Sequence, residues 1–511
     1  MIARKSRTIN TAKNLGIGAI TQVLSLFLSF VSRTVFIHTL GNEYLSVNGL
    51  FTNILTILTF TDLGIGAAII YSLYKPLAED DRPQIGKLIN LFAIAYRYIA
   101  ISIFVLGLCL IPVLPHIVNN VPTIKENIIL LYVLFLLNTV SSYIFGYKKS
   151  LLIADQKNYV VISIYTLFNI LQVILQVAVL YLTHNFVAYL LIMVGITLLN
   201  NVISTTYVNR KYRWIKDVEH LKLNKTERKG IFTNIKNIVV YKFGSVILNG
   251  SDNIIISGLI RTTLVGICSN YTMLINAVTS VINQGVAGLA ASIGNYNVEA
   301  GIKDNKNVFN QLSLLSYWAI GLISIIMACT FNPFIHIWLG SDYILPQSVV
   351  ISLVLGFYSI LINTIPSSYR TAMGFFREAR FAPFIAAILN IILSVLGAKQ
   401  MGLTGVFLAT FISRTLTYCV IDPYYIFKKG FKANPWEYYR AFVLRLTLIC
   451  IVYVVCAYII HLIHLQGIAL VIVSFFVSFT TFNIVFILIY YRNIYMQAAL
   501  HKISWNIFKN R

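Results

Sequence analysis

The sequence predicts an all-α polytopic membrane protein of about 14 transmembrane helices, and three observations carry that prediction. The 511 residues are 58% hydrophobic and only 11% charged, at a mean hydropathy of +0.77; soluble chains carry about 25% charged residues. The apolar residues form fourteen runs, each long enough for the roughly 20-residue helix that crosses a bilayer. The Lys and Arg residues collect in every second connection between those runs. The runs lack period-2 alternation and are about twice the length of a barrel strand, which excludes a β-barrel.

The runs are 14–38, 45–72, 87–115, 126–146, 158–182, 186–208, 237–260, 264–294, 308–330, 345–369, 382–399, 402–427, 438–461 and 467–491. The first follows the basic segment Met1–Lys13 without a small-residue cleavage site, so it reads as a retained helix and not a signal peptide. The second closes on Gly64-Ile65-Gly66 before the basic connection 73–87, and the third and fourth are joined by a connection whose cation is Lys125. Lys148, Lys149 and Lys157 precede the fifth run, which meets the sixth through Thr183-His184-Asn185. The stretch 209–236 holds nine Lys and Arg and three acids in 28 residues near the middle of the chain. Beyond it, Arg261-Thr262-Thr263 joins runs seven and eight, and Pro366 gives run ten a place to bend. The basic connection 428–437 leads into runs thirteen and fourteen, and a basic tail starts at Arg492.

Connections on the N-terminal side hold 31 of the 40 Lys and Arg, those on the other side three (Lys125, Arg261, Lys399), and six lie within runs. The positive-inside rule then places both termini in the cytoplasm. The net charge of +23 is topogenic, suits anionic membrane lipids, and needs no nucleic-acid partner. The domain reading is a six-helix lobe at 1–208, a basic cytoplasmic linker at 209–236, a second six-helix lobe at 237–427, and two appended helices with a tail at 428–511. The halves match weakly. Ser32-Arg33-Thr34-Val35-Phe36-Ile37 corresponds to Ser251-Asp252-Asn253-Ile254-Ile255-Ile256, and Leu50-Phe51-Thr52 to Asn270-Tyr271-Thr272. Six runs per half starting from the same side make a parallel pseudo-repeat, as in many transporters.

Polar residues at membrane depth mark the candidate site. Run one carries Asn14, Gly18, Gln22, Ser25, Ser29 and Arg33 on one helical face, and run seven repeats the device with Lys242, Ser245, Asn249 and Asp252. Run two offers Asn48, Thr52, Thr56, Thr59 and Asp62; run eight offers Ser269, Thr272, Asn276, Ser280 and Asn283. Small and hydroxyl residues also serve as helix–helix contacts, but charged residues in a span normally face protein or water. Arg33, Arg97, Lys242 and Arg414 are the candidate cavity cations, and Asp62 and Asp252 read as the only deep acids. One reading pairs Arg33 with Asp252, or Arg97 with Asp62, as static ion pairs. The other is a hydrated cavity of positive bias, which favours an anion such as phosphate. Asp62 or Asp252 would then couple transport to H⁺ or Na⁺.

The six cysteines sit in apolar runs without a CxxC pair, and the eight histidines form neither HExxH nor a zinc set, so no metal or cofactor is expected. No GxxxxGK[ST] loop is present for ATP, and the outer connections are too short for an active site. The chain reads as a non-enzyme.

Several segments stand out: Ser32-Arg33-Thr34-Val35-Phe36 with Leu40-Gly41; Thr61-Asp62-Leu63-Gly64-Ile65-Gly66 with Leu73-Tyr74-Lys75-Pro76-Leu77; Ser251-Asp252-Asn253-Ile254-Ile255-Ile256-Ser257; Ser269-Asn270-Tyr271; Ser292-Ile293-Gly294-Asn295; Ile337-Trp338-Leu339-Gly340; and Tyr369-Arg370 with Ala372-Met373-Gly374. Together they resemble the polysaccharide transporters of the multidrug/oligosaccharidyl-lipid/polysaccharide flippase superfamily. The likeness covers about residues 10–430; Arg261-Thr262-Thr263 and Cys268 depart from the family's usual Gly and aromatic at that turn. The resemblance implies two six-helix lobes around a central cavity in the bacterial cytoplasmic membrane. It also implies movement of an isoprenoid-pyrophosphate-linked oligosaccharide between leaflets, with other glycan-assembly proteins as partners. By similarity, Arg33 is a candidate pyrophosphate contact, and Asp62 and Asp252 candidates for coupling or gating. Two alternatives stand beside this: a drug or cation exporter of the same superfamily, which would want carboxylates in the cavity, and a non-transport membrane component of glycan assembly.

Overall fold

The computed structural model describes residues 2–59, 65–117, 124–224, 244, 246–248, 250–299, 301–375 and 378–497. The main helices are α1 (Ile2–Leu40), α2 (Asn42–Leu58), α3 (Ile65–Glu79), α4 (Arg82–Leu110), α5 (Ile128–Tyr143), α6 (Lys149–Ala154), α7 (Asn158–Thr183) and α8 (Phe186–Lys211). Helix α9 covers 250–259. It is followed by α10 (Thr263–Glu299), α11 (Ile302–Leu339), α12 (Gln347–Ile362), α13 (Thr364–Ala372), α14 (Ala382–Met401), α15 (Leu403–Tyr425), α16 (Trp436–Ile463) and α17 (Gly467–Tyr490).

Among the described residues, eleven helical stretches are long and apolar enough to cross a membrane. They rise to twelve if α5 and the segment Gly146–Ala154, bent by 41° from it, form one span. The eleven correspond to expected runs one, three, five, six and eight to fourteen. Run two is divided between α2 and α3, with 60–64 outside the described residues, and most of run seven also lies outside them. At 17 residues, α2 is only about 25 Å long, short of a hydrocarbon core of about 30 Å.

Run four is not the single helix that its composition suggests. Phe145 adopts φ 61°, a left-handed conformation that ends α5. The carbonyls this frees must find donors inside an apolar layer, and the amide nitrogen of one side chain lies within hydrogen-bond distance of three of them. Asn201 of α8 donates through Nδ2 to Ser141 O (2.9 Å), Ser142 O (3.1 Å) and Ile144 O (2.9 Å). Thr205 donates to Phe145 O at 2.9 Å, and Lys149 Nζ donates to Asn201 Oδ1 at 2.6 Å. Run ten breaks between α12 and α13 at Asn363. Pro366 has no N–H to give to the Ile362 carbonyl, so the ladder stops there.

The chain divides into two compact units, Met1–Gly266 and Ile267–Arg511. In the first, the end carrying the Lys- and Arg-rich connections (the basic end) closes over an apolar cluster that includes Leu73, Ile85, Leu88, Leu151, Val208 and Ile215. Tyr212 and Ile215 are buried in that cluster, and a Cβ at Gly86 would lie 2.3 Å from the Val218 carbonyl oxygen. At the other end Phe36, Tyr44 and Phe186 interlock edge to face. In the second unit α14 and α15 make the closest approach, because Gly397 and Gly405 bring their backbones together: a Cβ at either would meet the other's backbone at 2.7 Å or less. Large apolar side chains such as Leu444, Val454, Ile468, Phe476 and Leu488 stay exposed on α16 and α17, as a lipid-facing surface requires.

Candidate functional site

Helix α2 buries Leu45, Val47, Leu50, Phe51, Ile54, Leu55 and Leu58. Thr52 and Thr56 on its other face are exposed. Their hydroxyls donate back along the helix, Thr52 to Asn48 O and Thr56 to Thr52 O, both at 2.7 Å, which leaves hydroxyl oxygens as outward acceptors. Helix α10 repeats the arrangement: Asn276 and Asn283 are exposed, and Ser280 donates to Asn276 O at 2.8 Å. On α1, Ser29 is exposed and donates to Ser25 O at 2.7 Å, while Gln22 is half-buried. Asn14, the first member of that stripe, has a packing role: it accepts from Tyr159 N at 2.7 Å and donates to Gln156 O at 3.1 Å, fixing the start of α7.

Arg33 is half-buried on α1, within electrostatic reach of Tyr189, whose hydroxyl hydrogen-bonds Ser32. The Tyr189 ring packs 5.3 Å from Phe36, so an aromatic patch anchors the cation. Arg97 is exposed on α4 and within electrostatic reach of Tyr147, at the break between α5 and α6. Arg414 is half-buried on α15 near Cys419, and Asp252 is half-buried on α9. Arg33, Arg97 and Asp252 thus belong to the first unit, and Arg414, Asn276 and Asn283 to the second. Asp62, Lys242 and Asn249 lie outside the described residues.

Asp62 and Asp252 are not the only deep acids. Asp422, inside run twelve, is buried at 2% side-chain exposure, and Arg370 at 7% places Nε 2.9 Å from its Oδ1. Asn363 donates to Asp422 Oδ2 at 3.0 Å. In the sequence Arg370 falls one residue past run ten, among connections whose charge reads as topogenic. The signal was the acid itself: a carboxylate within an apolar run needs a partner. A buried Lys is also accounted for: Lys148 Nζ lies 2.7 Å from Glu219 and donates to Asn209 Oδ1 at 2.8 Å.

Two further contacts lie at the ends opposite the basic connections. Asn42 Nδ2 and Ser46 Oγ both donate to Thr263 O (3.0 and 2.9 Å), and Gly266 N donates to Ser46 Oγ at 3.1 Å, binding α2 to the start of α10. Tyr44 donates to Glu126 Oε2 at 2.6 Å and accepts from Lys125 N at 3.4 Å, just ahead of α5. Burial and the Glu126 carboxylate together push the Tyr44 hydroxyl above its ordinary pKa. Tyr271 of α10 does the same in the second unit, donating to Asn332 Oδ1 at 2.5 Å and accepting from Leu345 N at 3.0 Å just ahead of α12. Among the described residues no three His, Cys, Asp or Glu gather as a metal would need.

A family model described as "Polysaccharide biosynthesis protein" matches residues 11–289. No curated protein sequence matches the chain. Among solved structures, it is similar to an inward-facing multidrug resistance MATE family transporter of the MOP superfamily, at 12% identity and a TM-score of 0.62 over 83% of this chain and 96% of that one. It is similar to the lipid II flippase MurJ in an inward closed conformation, at 16% identity and a TM-score of 0.63 over 93% and 99%. A mutant of the Vibrio cholerae MATE transporter VcmN gives 14% identity and a TM-score of 0.56 over 86% and 98%. At these identities the likeness is one of fold.

Proposed function

The chain belongs to the polysaccharide biosynthesis protein family, and from that premise we propose that it is a flippase. In this reading it moves an isoprenoid-pyrophosphate-linked oligosaccharide from the inner to the outer leaflet of the bacterial cytoplasmic membrane, by alternating access without ATP hydrolysis. The observation that carries the reading is the pair of exposed polar rows on α2 and α10, within spans whose remaining faces are apolar or buried. Asn side chains and hydroxyl acceptors facing hydrocarbon would be costly, whereas facing water they solvate a polar cargo. Arg33, Arg97, Lys242 and Arg414 supply positive charge for a pyrophosphate, which guanidinium groups recognise through paired hydrogen bonds. Gln22, Ser29, Asn249, Asn276 and Asn283 contact the glycan, and Asp62 and Asp252 carry H⁺ or Na⁺ coupling.

A drug or cation exporter of the same fold is the second reading, favoured by the fold likeness to the multidrug transporter. It needs accessible carboxylates deep in the spans, and the described ones there are Asp252, half-buried, and Asp422, committed to Arg370. Cells lacking the gene decide between them. Flippase function predicts complete lipid-linked oligosaccharide trapped on the cytoplasmic leaflet, identifiable by mass spectrometry; normal outward exposure with intact surface glycan leaves the exporter reading.

A further inference from the structure

Among the described residues of the second unit, the buried polar atoms without a hydrogen-bond partner include Ser313 Oγ, Tyr317 Oη, Tyr358 Oη and Arg445 Nε. These four gather in one place. The Arg445 guanidinium of α16 lies 5.4 Å from the centre of the Tyr317 ring on α11. The hydroxyls of Tyr317, Tyr358 and Tyr438 fall within its electrostatic reach, and Ser313 stands one turn before Tyr317 on the same face of α11. Tyr317 and Tyr358 are 0% and 1% exposed. Among the described residues no carboxylate pairs with Arg445, and Asp422, within reach of Tyr438, is committed to Arg370.

Buried donors without acceptors are rare in folded proteins, and the Nε of Arg445 is one of them. Tyrosine ring faces compensate the charge in part, but they offer the N–H and O–H groups nothing to donate to. We propose that Arg445, Tyr317, Tyr358 and Ser313 form an anion site that takes a phosphate group, and by its single positive charge a phosphodiester monoanion. Every group in the site can donate and the guanidinium cannot accept, so the ligand must be rich in acceptor oxygens. The same chemistry comes from a phospholipid headgroup or from free phosphate, and the surroundings favour the lipid. Arg445 is itself only half-buried, next to Val443 and Leu444, which are 59% and 60% exposed on the lipid-facing side of α16. Tyr358 also lines an apolar cavity of about 130 Å³ with Ile325, Val354 and Ile449, room for a few methylenes of an acyl chain. The proposal is independent of what the protein transports.

The test uses the purified full-length protein, delipidated in detergent and examined by native mass spectrometry. The probes are phosphatidylglycerol, diacylglycerol of the same chains, and inorganic phosphate. We expect phosphatidylglycerol to be retained, diacylglycerol not, and retention to fall about tenfold in Arg445→Gln. Tyr358→Phe, which removes one hydroxyl and keeps the ring, falls several-fold at unchanged thermal stability. Arg440→Gln, at an exposed cation five residues away, retains lipid as the parent does. Inorganic phosphate binding that is lost in Arg445→Gln, without lipid retention, supports the site with free phosphate as its ligand. Equal retention of every probe by the parent, Arg445→Gln and Tyr358→Phe overturns the proposal and leaves Arg445 a packing residue on Tyr317.

Discussion

Arg33 is the residue on which the transport reading leans most. It is legible in the sequence because an Arg on a polar helical face inside an apolar run is expensive unless water or protein receives it. Its aromatic anchor is not legible, since Tyr189 and Phe186 lie about 150 residues away along the chain. Arg33→Ala should abolish or strongly reduce glycan export at normal protein level, read by surface glycan and an immunoblot of membranes; full export would remove it from the substrate path. Asp422 belongs to a different class. Losing one member of a buried ion pair leaves the other charge uncompensated, at a cost of about 3–5 kcal/mol. Arg370→Ala should therefore lower the unfolding temperature in detergent sharply, and the double change Arg370→Met with Asp422→Leu should recover much of it. Equal stability of the single variant and the parent would mean that the pair is solvated. If Asp62→Asn and Asp252→Asn both transported normally, their coupling role would fall.

At the scale of elements, most boundaries follow from apolar length and charge, and the exceptions have local causes. Fourteen runs are visible because twenty apolar residues leave few alternatives. The break in run four is invisible in composition because its carbonyls are satisfied from another helix, by Asn201 and Thr205. Asn201→Ala strips donors from three carbonyls at once, and each unsatisfied buried group costs about 1–3 kcal/mol. The expected result is a destabilised protein with faster backbone amide exchange around 141–149, measured by hydrogen–deuterium exchange mass spectrometry; unchanged exchange there would show that the break holds itself. Tyr44 and Tyr271 each accept from a backbone N–H just ahead of a helix, whereas the weak match between the halves sets Phe51 against Tyr271.

For the whole molecule, composition suffices for the all-helical, many-span character, because a bilayer permits few solutions to an apolar chain of this length. The candidate site is less legible. The exposed rows on α2 and α10 can be read from helical spacing, whereas the pairing of Arg370 with Asp422 and the seat of Arg445 on the Tyr317 ring emerge only once distant helices are packed together. On the proposed function, this chain itself carries a lipid-linked anionic oligosaccharide across the bilayer. The direct measurement is made with purified protein reconstituted into liposomes holding lipid-linked oligosaccharide in the inner leaflet, reading its accessibility to an external glycan-modifying enzyme. The account predicts that wild-type protein exposes the inner-leaflet pool without ATP, while Arg33→Ala, reconstituted to the same density, leaves it protected. An inner pool that stays protected with wild-type protein, under imposed H⁺ and Na⁺ gradients of either direction, would contradict it.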